Sequence, residues 1–116
     1  MLRTFHDIIA NMELAKVGGN RLRDYELVVI ISPEVAEEGI PATLEKINQF
    51  IIGRGGSITE VNQWGRRRLA YPIKDFVEGN YVLTQFKMEP RLTAELEASL
   101  GISEEVLRHL LIRLSD

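Results

Sequence analysis

The sequence predicts an α+β fold in which two helices cover one face of a four-stranded antiparallel sheet. Four segments rich in β-branched and apolar residues are separated by two segments whose apolar residues recur at helical spacing. Their order along the chain is β-α-β-β-α-β, and two β-α-β halves of this kind fold as one split unit. Because crossover connections are right-handed, we expect the strand order 4-1-3-2 across the sheet.

The first half of the chain supplies a strand, a helix and a long second strand. Residues 25–31 form a short β-branched run that a Ser-Pro pair ends, which is typical of a buried strand. Next, Pro41 favours a first helical turn and Gly53 a helix end. The apolar residues between them recur on one helix face: Ile40, Leu44, Ile47 and Ile51. Residues 57–71 then alternate loosely and predict the second strand.

The second half repeats the pattern. Residues 72–78 contain the predicted turn, and residues 79–88 predict the third strand. The second helix opens at Pro90 and ends at Gly101, with leucines spaced four apart along one face. Residues 106–114 predict the fourth strand.

We expect one domain, residues 24–116, preceded by an extension. The chain has 116 residues, enough for one core. Residues 1–23 carry apolar side chains at near-helical spacing and then Gly18 and Gly19, so this segment is predicted to be flexible or loosely helical. No apolar run approaches the roughly 20 residues of a membrane helix. The chain has no cysteine, which excludes disulfides and thiolate chemistry and suits a reducing compartment.

Charge is distributed unevenly, although the formal net charge is −3. Residues 54–74 contain five basic residues and one acid, a local charge of +4, whereas both predicted helices are acidic. The basic run in the second strand comprises Arg66, Arg67 and Arg68, with Trp64 beside it. Guanidinium groups pair with phosphates and stack on bases, so this stretch favours RNA contact. A solvated strand edge that resists aggregation is the alternative. In a regular strand Trp64 shares a side with Arg66 and Arg68, and a bulge at Gly65 would shift this phase.

The sheet face that no predicted helix covers is unusually apolar. The first and third strands carry apolar residues on both faces, so something is expected to cover the open side. The candidates are a partner protein, RNA bases, the N-terminal segment, or edge loops and long side chains. The residues expected to face a partner are Tyr25, Leu27, Val29, Tyr81 and Leu83.

The run Gly-x-Arg-Arg-Leu-Ala-Tyr-x-Ile-Lys, from Gly65 to Lys74, resembles the signature of the small-subunit ribosomal protein family numbered six. Four other features are also similar to that family: residues 25–30, Gly55-Gly56, Gly79-x-Tyr81 and Val106-Leu107-Arg108. The resemblance covers residues 24–116. The chain departs from the family at its start, because 23 residues precede Asp24 where the family usually has one or two.

The resemblance implies a ferredoxin-like fold and a structural, non-enzymatic role in the platform of the small ribosomal subunit. It implies binding to small-subunit rRNA and pairing with ribosomal protein number eighteen, with no cofactor, metal, membrane or small-molecule substrate. A cytoplasmic ribosome is expected, with an organellar ribosome as the alternative. The RNA contacts assigned in this way are Arg66, Arg67, Arg68, Lys74, Trp64, Tyr71 and Arg23.

Two other functions stay open. A free-standing module of the RNA-recognition type shares this topology, but the pattern expected on its third strand is met here by Gly79 and Tyr81 alone. A small-molecule regulatory domain is the second, since this fold hosts many functions. No ligand constellation supports it, and His6 and His109 lack further ligands at metal-binding spacing.

Overall fold

The structure is a computed structural model that describes residues 22–114. Its single sheet has the order β2-β3-β1-β4. Counted from the opposite edge this is 4-1-3-2, so the predicted strand order is confirmed. The elements are β1 (Arg23–Ile31), α1 (Ile40–Gly53), β2 (Ser57–Ile73), β3 (Phe76–Met88), α2 (Thr93–Ile102) and β4 (Val106–Arg113). A 3-10 turn precedes each helix, at Glu37–Gly39 and at Pro90–Leu92. The predicted extension lies outside the described residues except for its last two.

The core lies between the sheet and the two helices. Alternate residues of β1 point toward the helices and pack with Phe86 of β3, which is 1% exposed. The helices contribute the side chains that their spacing predicts: Ile40, Leu44, Ile47 and Ile51 from α1, and Leu96 and Leu100 from α2. This arrangement leaves the other sheet face without helices, and we call it the open face.

Three residues of the predicted partner surface belong to this core, so that part of the prediction is wrong. Tyr25, Leu27 and Val29 are 5%, 0% and 1% exposed. They pair with Phe86, Thr84 and Val82 of β3 on the helix side of the sheet, and the Tyr25 ring stacks on Phe86 at 5.6 Å between centroids. The error arose because β1 is apolar on both faces, so its pattern did not reveal which set faces the helices.

The turn between β2 and β3 is shorter than predicted. It consists of Lys74 and Asp75, with φ of 51° and 70°, and β3 begins at Phe76. A two-residue hairpin loop with positive φ at both positions matches the twist of the flanking strands. This conformation costs a non-glycine residue roughly 1–2 kcal/mol, so Lys74 and Asp75 occupy a strained site that usually holds asparagine or glycine.

The end of the β2–β3 hairpin packs on the open face. The pairing register jumps from Arg68 opposite Glu78 to Ile73 opposite Phe76, so β2 carries extra residues there and bends. The bend brings Leu69 against Ile30 and Leu107, and all three are buried in a small second cluster. The hairpin end therefore reaches across β1 toward β4.

Candidate nucleic-acid interface

A bulge at Gly65 determines which side chains of β2 reach the open face. The register changes between Gln63, opposite Val82, and Gly65, opposite Tyr81, which leaves Trp64 as the extra residue. Gly65 has φ of 87°, a value that side-chain-bearing residues rarely adopt. The bulge shifts the strand phase in the way the sequence allowed, and Trp64 lies on the same face as Arg67.

Trp64, Arg67 and Tyr81 form a compact group on the open face, which we call the Trp64 cluster. The rings of Trp64 and Tyr81 are stacked, with centroids 6.4 Å apart and planes 14° from parallel. The Arg67 guanidinium carbon lies 5.6 Å from the Trp64 centroid, within the range of a cation–π interaction. Trp64 remains 44% exposed. An aromatic surface beside a guanidinium group can stack an unpaired base and hold its phosphate.

The neighbouring arginines point away from this cluster. Arg66 forms an ion pair with Glu78 at 3.3 Å and donates to the Pro33 carbonyl oxygen at 3.4 Å, so part of its charge is used within the chain. Strand alternation places Arg68 on the same side as Arg66, and Arg68 is exposed. Within residues 22–114, neither Arg67 nor Arg68 lies in an ion pair. The hairpin therefore presents available cationic groups on both of its sides.

The remaining predicted RNA contacts are not all brought together. Lys74 lies at the hairpin turn, and Tyr71 is 56% exposed on the bent part of β2. Arg23 pairs with Met88 at the other end of β3, whereas Arg67 pairs with Gly79. Nine residues at about 3.4 Å each separate these positions by roughly 30 Å. Arg23 is therefore separate from the arginine run.

The sequence pattern did not single out Arg108 as a site residue. This residue of β4 pairs with Ile30 of β1 on the open face, and its Nη1 donates to the Tyr71 hydroxyl oxygen at 2.8 Å. Its pairing is in phase with that of Leu110 and Ile112, so plain alternation along β4 places all three on one face. The residue type was a usable signal, but the contact with Tyr71 depends on the bend in β2.

Apolar side chains occupy the open face beside the Trp64 cluster. Val28 of β1 pairs with Leu83 of β3 and Leu110 of β4, and Ile112 follows two residues along β4. Leu110 is 57% exposed and Ile112 is 39% exposed. We call these four residues the apolar stripe. Tyr81 and Leu83 of the predicted partner surface therefore do lie on the open face, one in each group.

Replacing Gly65 with alanine is expected to lower the free energy of unfolding by roughly 1–2 kcal/mol, because a Cβ disfavours its positive φ. Relaxation of the bulge would also move Trp64, the chain's single tryptophan, away from Arg67 and Tyr81. Urea unfolding and tryptophan emission test both effects. Gly53→Ala is the matched control, because Gly53 ends α1 with open space around its Cβ position and no positive φ. Equal stability of the two variants would contradict the role given to the bulge.

The described part of the chain offers little support for other kinds of site. Residues 22–114 contain no group of three His, Asp or Glu side chains able to hold a metal ion. None of their helices combines the length and apolarity that crossing a membrane requires. On β3 the open face carries Leu83 and Gln85 after Tyr81, so these two positions lack the second aromatic residue expected of an RNA-recognition-type module.

Comparisons with known proteins agree with this architecture. The profile of the family described as ribosomal protein S6 matches residues 24–113. The small ribosomal subunit protein bS6 of Desulforamulus reducens is 45% identical over 92 residues, 79% of this chain and 97% of the relative. The protein of the same name from Dehalococcoides mccartyi is 44% identical over 108 residues, 93% of this chain and 99% of the relative. The crystal structure of 30S ribosomal protein S6 from Thermotoga maritima matches with a TM-score of 0.76 and 34% identity, covering 81% of this chain and 89% of that one.

Proposed function

Because this chain belongs to the ribosomal protein S6 family, we propose that it binds small-subunit rRNA together with ribosomal protein number eighteen. The family membership confirms the resemblance found in residues 65–74. It makes the chain a structural, non-catalytic constituent of the small ribosomal subunit. Its relatives are bacterial ribosomal proteins, which places it in the cytoplasm. The assembling domain is proposed to be residues 24–116.

The observation that carries the proposal is the division of the open face into two adjacent parts. The Trp64 cluster offers aromatic surface and positive charge, whereas the apolar stripe offers exposed aliphatic side chains. RNA and a protein surface are the respective partners that such chemistry favours. The two parts adjoin at Tyr81 and Leu83. An RNA bound to the Trp64 cluster and a protein bound to the apolar stripe would therefore contact each other.

We assign RNA contacts to both sides of the β2–β3 hairpin. Arg67 and Trp64 would meet RNA on the open face, and Arg68 would meet it on the opposite side. A hairpin with guanidinium groups on both sides can contact two phosphate backbones, which a surface with cations on one side cannot do. Arg66 is expected to contribute less, because Glu78 and the Pro33 carbonyl already engage it.

The protein half assigns the apolar stripe to protein number eighteen. Exposed aliphatic side chains on neighbouring strands lose unfavourable contact with water when a partner covers them. The stripe runs from Leu83 of β3 across β1 to β4 and includes no residue of β2. A protein can therefore cover it while the hairpin remains accessible to RNA.

The test is binding of the chain to a platform fragment of small-subunit rRNA, with and without protein number eighteen, over a series of salt concentrations. We expect tight binding when the partner is present, and affinity that falls as salt rises because counterions are released. Absence of binding under both conditions would contradict the proposal. Tight binding of a short unstructured oligonucleotide without the partner would favour the free-standing RNA module instead.

A further inference from the structure

Tyr71 and Arg108 connect the hairpin to the far edge of the sheet. Their side chains come from β2 and β4, the two edge strands, and the Arg108 guanidinium donates to the Tyr71 hydroxyl at 2.8 Å. The bend in β2 carries Tyr71 toward β4 and makes this contact possible. The hydrogen bond uses one of the five guanidinium N–H groups and leaves the others free.

Arg108, the donor of this hydrogen bond, also lines a cleft of about 430 Å³. Its lining includes Lys74 from the hairpin turn and Arg108 and His109 from β4, above apolar side chains of α2 and β4. Arg108 also borders two smaller clefts of about 200 Å³ each on the open face, one with Tyr71 and one with Val28. Arg108 is thus the residue that these three concave surfaces have in common.

The charge in this cleft is poorly neutralised. Within the described part of the chain, Lys74 and Arg108 form no ion pair, and the hydroxyl that holds Arg108 is neutral. Asp75 follows Lys74 in the turn but does not line the cleft, and Glu97 is bonded to the lining residue His109 at 3.1 Å. Two cationic residues from distant segments line the same cleft, and an anionic ligand is the partner that both charges favour.

Lys74 lines the cleft in an unusual backbone conformation, which Asp75 shares. Its φ of 51° is unfavourable for a residue with a side chain, and a glycine or asparagine would fit the turn with less strain. Strained backbone positions concentrate at functional sites, where the surrounding structure holds them. From this turn position Lys74 lines the cleft.

We propose that Lys74 and Arg108 bind a backbone phosphate of RNA in this cleft, and that Tyr71 is a positioning residue for Arg108. The inference rests on the rRNA binding proposed above and adds a phosphate site separate from the Trp64 cluster. Arg108 provides a planar fork suited to two phosphate oxygens, and Lys74 provides a mobile point charge. The phenol limits the rotation of the guanidinium group before RNA arrives, which lowers the entropy lost on binding.

The experiment measures rRNA affinity of the full chain, with protein number eighteen present, across a salt series. Arg108→Gln is expected to weaken binding about tenfold and to reduce the salt slope by about 0.7–0.9, the loss of one phosphate contact. Arg108→Lys keeps the charge and should retain the slope. Tyr71→Phe should weaken binding about threefold with the slope unchanged, because the phosphate contact survives but is less well oriented.

Arg91→Gln is the matched control, because Arg91 lies in the 3-10 turn before α2 and pairs with Glu89. It should leave both affinity and slope unchanged. Melting temperatures and affinity for protein number eighteen without RNA show whether Arg108→Gln acts through folding or through that partner. An unchanged slope for a folded Arg108→Gln chain, with wild-type binding intact, overturns this inference alone. Failure of the wild-type chain to bind rRNA overturns both it and the proposed function.

Discussion

Replacing Arg67 and Arg68 together with glutamate is expected to abolish measurable rRNA binding while leaving the fold intact. The two side chains point to opposite faces of the hairpin, so the double variant loses RNA contacts on both faces. A hydrogen bond to a charged group contributes about 1.5–3 kcal/mol, so losing two corresponds to a roughly 10²–10⁴-fold lower affinity before any repulsion. The fold should tolerate the change, because both residues are exposed.

Filter binding or fluorescence anisotropy over a salt series measures this effect, and thermal unfolding verifies the fold. Lys46→Glu with Arg91→Glu is the matched control, since it changes the net charge equally. Both side chains are well exposed, at 71% and 61%, and α1 and the turn before α2 place them away from the hairpin. The control should bind within a few-fold of wild type. Similar losses in the two double variants would show that net charge, rather than the hairpin, controls binding.

Replacing Leu27 with alanine is expected to lower the free energy of unfolding by about 2–5 kcal/mol. Leu27 is 0% exposed between the sheet and the helices, and truncation there removes apolar contacts and leaves a cavity. For a small domain with roughly 5–15 kcal/mol of stability, this is a large fraction of the total. Urea unfolding monitored by circular dichroism measures the loss.

The same substitution on the other sheet face separates stability from binding. Leu110 is 57% exposed in the neighbouring strand, so Leu110→Ala should change stability by no more than about 0.5 kcal/mol. It should instead weaken binding to protein number eighteen by about 1 kcal/mol or more, because the partner covers this side chain. If Leu27→Ala left the chain fully stable, the assignment of β1 to the core would be wrong. Normal partner binding by Leu110→Ala would remove the apolar stripe from the proposed interface.

Much of the architecture follows from local patterns. The β-branched run of β1 and the apolar spacing of Ile40, Leu44 and Ile47 predict their elements because each pattern has the period of one secondary structure. The basic run in residues 66–68 is visible without coordinates, since it is a contiguous group of residues in the chain. Local periodicity defines the length of a turn less well. The turn has two residues, Lys74 and Asp75, and is shorter than the predicted segment of residues 72–78.

The sequence by itself determined the order of elements, the family and the arginine run, because each is carried by neighbouring residues or regular spacing. Only the tertiary structure decided which face of β1 is buried, since both faces are apolar and helix packing selects between them. It also decided that Trp64 joins Arg67, because the Gly65 bulge changes the strand phase. The pairing of Tyr71 with Arg108, 37 residues apart, depends on the bend in β2 that folds the hairpin end over the sheet. Such a contact is a property of the folded sheet, which no local pattern encodes.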